Sequence, residues 1–148
     1  QVLAAVLASA ALAVVVGKVL NQVVARDRPF VALPDQVRHI ALIVRPDSFP
    51  SIHAVAAFGL VGGVLFGPYR CWGAAMLGIG TVMIAARVAA GVHWPSDVIG
   101  GAVIGLVMAA IVASIRACRG ARGDPSQREA PPQERPMETA VGPSGPQS

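Results

Sequence analysis

Ala86-Arg-Val-Ala-Ala-Gly-Val-His-Trp-Pro-Ser-Asp97 joins two long apolar stretches and sets Arg87, His93 and Asp97 at the boundary between them. A guanidinium, an imidazole and a carboxylate are costly to keep at a membrane edge unless they do chemistry there. The flanking stretches, residues 71–90 and 95–117, each have the length of a membrane span. Pro95 or Ser96 opens the second of them, because proline is tolerated in the first helical turn and nowhere deeper.

Composition agrees with that reading. Of 148 residues 54% are apolar and 14% charged, and the mean hydropathy is +0.60, too oily for a soluble domain of this size. Aromatic residues make up 5% of the chain, so small aliphatic residues must do the packing, and these let membrane helices approach closely. The net charge is +4, without a basic run of the kind that binds nucleic acid. Cys71 and Cys118 are too few for a disulfide framework. The chain starts at Gln1 without a basic leader, which reads as an internal cut with upstream spans missing.

Working outward, Val2 to Ala25 is apolar apart from Ser9, Lys18, Asn21 and Gln22, roughly 36 Å of helix and enough to cross a bilayer. Lys18, Asn21, Gln22 and Ala25 recur at helical spacing, so a polar stripe near that helix's end faces away from lipid. Residues 26–50 contain four prolines and form a long loop or short re-entrant pieces. A shorter apolar helix follows, from Pro50 or Ser51 to about Phe66, and Gly67-Pro68 stops it. Gly101 and Gly105 give the last helix a small-xxx-small packing face.

The expected architecture is an all-α, polytopic transmembrane helical bundle with four spans visible. Residues 1–118 form its core, and residues 119–148, rich in Gly, Pro, Gln and Ser, a disordered tail. Arg116, Arg119 and Arg122 place the tail in the cytoplasm by the positive-inside rule. Counting back, the 26–50 loop and the 91–96 turn share the extracytoplasmic face of the plasma membrane.

Three polar islands therefore meet on one face: Asn21 to Pro29, Ser48 to His53, and Ala86 to Asp97. Arg28 and Arg87 offer forked donors that match phosphate oxygens. Ser51, with the free N–H groups of a helix start, adds an anion site. If His93 attacks phosphorus, Asp97 can hold its imidazole, and His53 can protonate the leaving oxygen and later activate water. Taken singly, His93 reads sooner as an interfacial residue and His53 as a satisfied helix-start histidine, but jointly these readings yield to the phosphate site, as does a structural Arg87–Asp97 ion pair. Arg26, Arg38, His39 and Arg45 read as loop or headgroup contacts, and Lys18 as a snorkelling or pocket-edge residue. His93 and Asp97 as metal ligands lack a close third donor.

The order and spacing of the islands resemble the signature of the type 2 phosphatidic acid phosphatase (PAP2) superfamily: Lys, six residues, Arg-Pro; Pro-Ser-Gly-His; Ser-Arg, five residues, His, three residues, Asp. The resemblance implies that His93 forms a phosphohistidine, Asp97 orients it, His53 is the general acid, and Asn21, Arg28, Ser51 and Arg87 hold phosphate, without metal or cofactor. Within the family, Arg28-Pro-Phe-Val31 and the later Asp-Ser-Phe-Pro-Ser ending at Ser51 are similar to the bacterial undecaprenyl-diphosphatases of the bacitracin-resistance (BcrC-like) type. That implies a polyprenyl diphosphate substrate and a role in cell wall biogenesis. Another lipid phosphate, or a catalytically inactive binding or scaffold protein, are the alternatives. Three positions depart from the signature: Asn21 stands for lysine, Ile52 for glycine and Ala86 for serine.

Overall fold

The structure, a computed structural model, describes residues 2–36 and 47–122. Its elements are α1 (Val2–Val24), α2 (Pro29–Ala32), α3 (Ile52–Leu65), α4 (Arg70–Ala89) and α5 (Pro95–Arg122). Among the described residues there is no strand, only an isolated bridge between Asp27 and Asp47. The fold is thus the all-helical bundle expected. Three of the four helices read as spans, α1, α4 and the Pro95–Gly120 part of α5, are long and apolar enough to cross a membrane.

The fourth, α3, has 14 residues, about 21 Å at the helical rise and short of a hydrocarbon core of about 30 Å. It is instead the helix around which the bundle is built. Ala54, Val55, Phe58 and Val61 are buried in its walls, and α1, α4 and α5 all pack on it. The last helix also runs further than the sequence predicts. It ends at Arg122 rather than about Ala117. Residues 123–148 lie outside the described residues, as do Arg38, His39 and Arg45 of the long loop.

Small residues set how closely the helices approach. A Cβ added at Gly101 would sit 2.8 Å from the Ser51 carbonyl oxygen, and one at Gly105 2.7 Å from both the Val55 oxygen and the Gly59 nitrogen. With Ala109 against Gly62, these contacts advance in step along both helices, so α3 and α5 run parallel with their backbones nearly touching. Gly17 faces Val55 and Gly63 faces Val6, while Gly80 faces Phe58 and Gly73 faces Leu65. Both of these series run in opposite senses, making α1 and α4 antiparallel to α3. The end of α1, the start of α3, the end of α4 and the start of α5 consequently meet at one end of the bundle. Leu3, Val15, Trp72, Ile79 and Ile99 remain exposed on its outside, as side chains facing lipid would be.

Substituting Gly105→Ala should force α3 and α5 apart and lower stability by about 1–3 kcal/mol, the usual cost of overpacking. Gly78→Ala, where an added Cβ meets nothing within 4 Å, should be neutral or slightly stabilising. Thermal unfolding of the two variants in detergent measures the contrast.

Candidate active site

The 91–94 turn delivers the central histidine. Gly91 adopts φ 67, the left-handed conformation that glycine takes without a Cβ clash, and its N–H bonds back to the Val88 oxygen at 2.9 Å. The chain then reverses, burying Val92 and His93. Pro95 starts α5, and Asp97 in its first turn accepts the Trp94 N–H at 2.8 Å, the carboxylate half of a capping box.

Asp97 is fully buried, and both its oxygens are satisfied. Oδ1 pairs with Arg26 at 3.0 Å, and Oδ2 accepts the Ser48 hydroxyl as well as the Trp94 N–H. Arg26 also donates to Ser96 Oγ at 2.7 Å and lies over the Trp94 ring, 5.3 Å from its centroid, a cation–π distance. The start of α3 is tied in through the Ser51 N–H, which donates to the Asp97 carbonyl at 3.1 Å. Arg26, read from sequence as a loop or headgroup contact, and Ser48, at the start of the second polar island, are both members of this network.

The carboxylate does not hold His93 directly. His93 Nδ1 is 3.1 Å from the Ser48 carbonyl oxygen and 3.8 Å from Asp97 Oδ2, beyond hydrogen-bond length. Because a carbonyl only accepts, Nδ1 carries the hydrogen and Nε2 is left as an acceptor. Asp97 therefore orients His93 through Ser48, whose side chain it fixes and whose carbonyl meets the ring. Arg28 Nη1 lies 3.3 Å from Nε2 and donates to the Val92 oxygen at 3.0 Å. Burial, with Arg28 and Arg87 nearby, pushes the His93 pKa down to about 4 against a smaller upward pull from Asp97 and the Ser48 carbonyl. Burial and Arg87 likewise lower that of Arg28, against upward pulls from Asp97 and Asp47.

His93 opens into a cavity of about 320 Å³ shared by His53, Arg28, Arg87, Asn21 and Lys18, with Asp47, Pro50 and Ile52 completing its wall. Of the seven residues expected at the site, five line this cavity. Asp97 lies behind it, and Ser51, fully buried, is joined to Asp97 through the backbone. Ser51 Oγ and Arg87 Nε are buried without a hydrogen-bond partner among the described residues, the condition of groups that receive an anion. A larger cavity, about 450 Å³, lies at the opposite end with Arg70 and Arg116 in its wall, but its lining holds neither histidine nor carboxylate.

Two of the three departures from the motif pattern have structural counterparts. Asn21 donates its amide hydrogen to the Phe49 oxygen at 2.9 Å, steadying the segment before α3, while Lys18, one turn earlier, lines the same cavity. Ile52 lines the cavity, yet its Cδ1 would stand 3.2 Å from a Cβ at Gly17, so the missing side chain on α1 makes room for it. Nothing in the structure explains Ala86. The ends of the long loop are pinned by the Ser48 N–H to Arg26 oxygen bond at 2.7 Å, which brings Asp47 into the cavity wall.

A helical membrane bundle with this histidine and arginine constellation has a family. The model of the PAP2 superfamily matches residues 2–120, and the chain belongs to that superfamily. It is 39% identical over 83 residues to the Escherichia coli (strain K12) protein named "Putative undecaprenyl-diphosphatase YbjG", an alignment covering 55% of this chain and 40% of that relative. The chain thus spans well under half the length of this curated relative. No solved structure gives a significant match.

His93 should titrate in the folded protein near pH 4, against 6.5 for an unperturbed imidazole. Between those values the unfolded chain binds the proton and the folded chain does not, so His93 contributes stability above pH 6.5 that is lost as pH falls toward 4. Histidine NMR titration and unfolding against pH measure both effects, and His93→Gln should flatten that part of the stability profile.

Proposed function

We propose that this chain carries the catalytic core of an integral membrane phosphatase that converts undecaprenyl diphosphate to the monophosphate and phosphate. The observation that carries the reading is the convergence of two histidines and three cationic side chains on one cavity, with the inner histidine neutral and its Nδ1 engaged. Family membership supports the reaction class, and the name of the E. coli relative supports the substrate.

In this mechanism His93 Nε2 attacks the terminal phosphorus. The bond to the bridging oxygen breaks and His53 gives that oxygen its proton, so undecaprenyl monophosphate leaves and a phosphohistidine remains. His53, now a base, takes a proton from water as the water oxygen attacks the same phosphorus. The phosphorus–Nε2 bond breaks, phosphate leaves, and both histidines return to their starting states. Arg28, Arg87 and Ser51 Oγ stabilise the charge on the equatorial oxygens. The imidazolium that forms on His93 faces the Ser48 carbonyl, which the buried carboxylate behind it keeps in place.

Lys18 then supplies the charge that Asn21 lacks. It stands at the cavity edge, where the second phosphate of a diphosphate would extend. The cavity end is assigned to the extracytoplasmic face of the plasma membrane and the Arg116 end, with the tail, to the cytoplasm, which the arginines of the opposite cavity support.

Purified protein should release phosphate from undecaprenyl diphosphate, His93→Ala and His53→Ala should each lose at least about a hundredfold in kcat, and a phosphoenzyme should be trapped on His93. Unaltered release in both variants would sink the mechanism, and vanadate binding without turnover would favour an inactive binding protein. A panel with phosphatidic acid, phosphatidylglycerol phosphate and a polyprenyl sugar phosphate decides the substrate. Lys18→Met should weaken kcat/KM on the diphosphate about tenfold or more, the worth of one charged hydrogen bond, and spare monophosphate substrates. Asn21→Lys in that background should restore part of the loss.

A further inference from the structure

Just past the end of α1 the chain takes a strained turn. Ala25 adopts φ 38, in the left-handed region that a residue with a Cβ enters only at a cost. The turn carries Arg26 across to the start of α5, where its Nη1 donates to Ser96 Oγ at 2.7 Å and to Asp97 Oδ1 at 3.0 Å. One terminal nitrogen thus places both its hydrogens on the first turn of that helix. The guanidinium also lies over the Trp94 ring, whose Nε1–H donates back to the Asp27 oxygen at 3.0 Å. Residues 25–27 therefore clasp residues 94–97 through three hydrogen bonds and a ring contact.

The same residue grips Ser48 from two sides. Its carbonyl accepts the Ser48 N–H at 2.7 Å, and its side chain holds the carboxylate that accepts the Ser48 hydroxyl. Because the Ser48 carbonyl meets His93 Nδ1, Arg26 reaches the imidazole through backbone and side chain alike. An ion pair made by a half-exposed arginine is ordinarily worth little. Here the acid is fully buried while 42% of the arginine side chain is exposed, so loss of the cation would leave an uncompensated charge inside the protein. A donor close at hand is His93 Nδ1, 3.8 Å from Asp97 Oδ2.

We infer that Arg26 is a positioning residue for His93: by holding Oδ1 from outside the bundle, it keeps Oδ2 on the Ser48 hydroxyl and the Trp94 N–H and leaves Nδ1 to the Ser48 carbonyl. The part of His93 as nucleophile rests on the phosphatase reading, whereas the hold on its ring does not. Without Arg26 the carboxylate turns toward Nδ1, swings Nε2 away from a phosphate held by Arg28 and Arg87, and favours the protonated ring, which has no lone pair for attack. The other charged or titratable groups facing His93 are Arg28 and Arg87, with Lys18, His53 and Asp47 across the cavity, and all of them stay in every variant below.

The test sets Arg26→Met, which keeps a long stem over Trp94 but loses donor and charge, against Arg26→Lys, which keeps both. In the purified chain acting on undecaprenyl diphosphate, Arg26→Met should lower kcat about tenfold or more, the effect of a displaced attacking atom, with KM held within about twofold. It should also move the acidic limb of kcat/KM to higher pH, and Arg26→Lys should recover most of both. NMR titration of His93, its signal assigned with His93→Gln, reads the ring without turnover and should show its pKa raised from about 4 toward 6.5 in Arg26→Met. Where Arg26→Met does not fold, Arg26→Gln, which retains a neutral donor for Oδ1, should move the titration in the same direction. An unmoved or lowered His93 titration, or a loss expressed in KM with kcat intact, overturns the inference even in an active phosphatase. A raised titration in a protein that releases no phosphate would uphold the positioning role and reject the phosphatase reading instead.

Discussion

A carboxylate buried at the start of a membrane helix must be fully engaged or it destabilises the fold, and Asp97 meets that demand by recruiting partners from three parts of the chain. Arg26 comes from the end of α1, Ser48 from the far end of the long loop, and Trp94 from the turn before α5. The Asp97 backbone carbonyl adds the Ser51 N–H at the start of α3. One buried charge thus draws together the segments that carry every other polar residue of the site. His93 benefits at one remove, because the Ser48 carbonyl that fixes its ring belongs to the residue whose hydroxyl the carboxylate holds.

Helix packing places this polar cluster at one end of the bundle. Glycines on α5 let it lie against α3 at backbone contact, and α1 and α4 flank α3 in the opposite sense. That arrangement makes α3, although shorter than a span, a wall of the polar cavity. Close approach in lipid relies on small residues because water is not there to drive helices together. The low aromatic content of the chain is the compositional trace of this strategy.

Electrostatics inside the cavity favour a neutral His93 and an anionic guest. Burial, with Arg28 and Arg87 next to His93, makes its protonation unfavourable, and Nε2 faces the Arg28 guanidinium as an acceptor. The same cations line a space that a phosphate would neutralise. Asp47 in the wall moderates the positive charge, as its upward pull on the Arg28 pKa indicates.

Sequence alone determined the helical bundle, the helix limits to within a few residues at most ends, and the site residues Arg28, His53, Arg87, His93 and Asp97, because hydropathy, proline positions and motif spacing are local properties. It placed Asn21 among the phosphate ligands and Lys18 at the pocket edge, since both sit on the same helical stripe. Which of them turns its polar atoms to the cavity depends on where Phe49 lies, and that is a tertiary fact. The membership of Arg26 and Ser48 in the Asp97 network was likewise illegible: nothing in residues 26 or 48 announces a partner some fifty to seventy positions away. Ile52, which stands where the signature has glycine, finds its complement in Gly17 on another helix. The chain writes its helices in local pattern, whereas the division of labour around the buried carboxylate arises only when distant segments compete for the same few hydrogen-bonding partners.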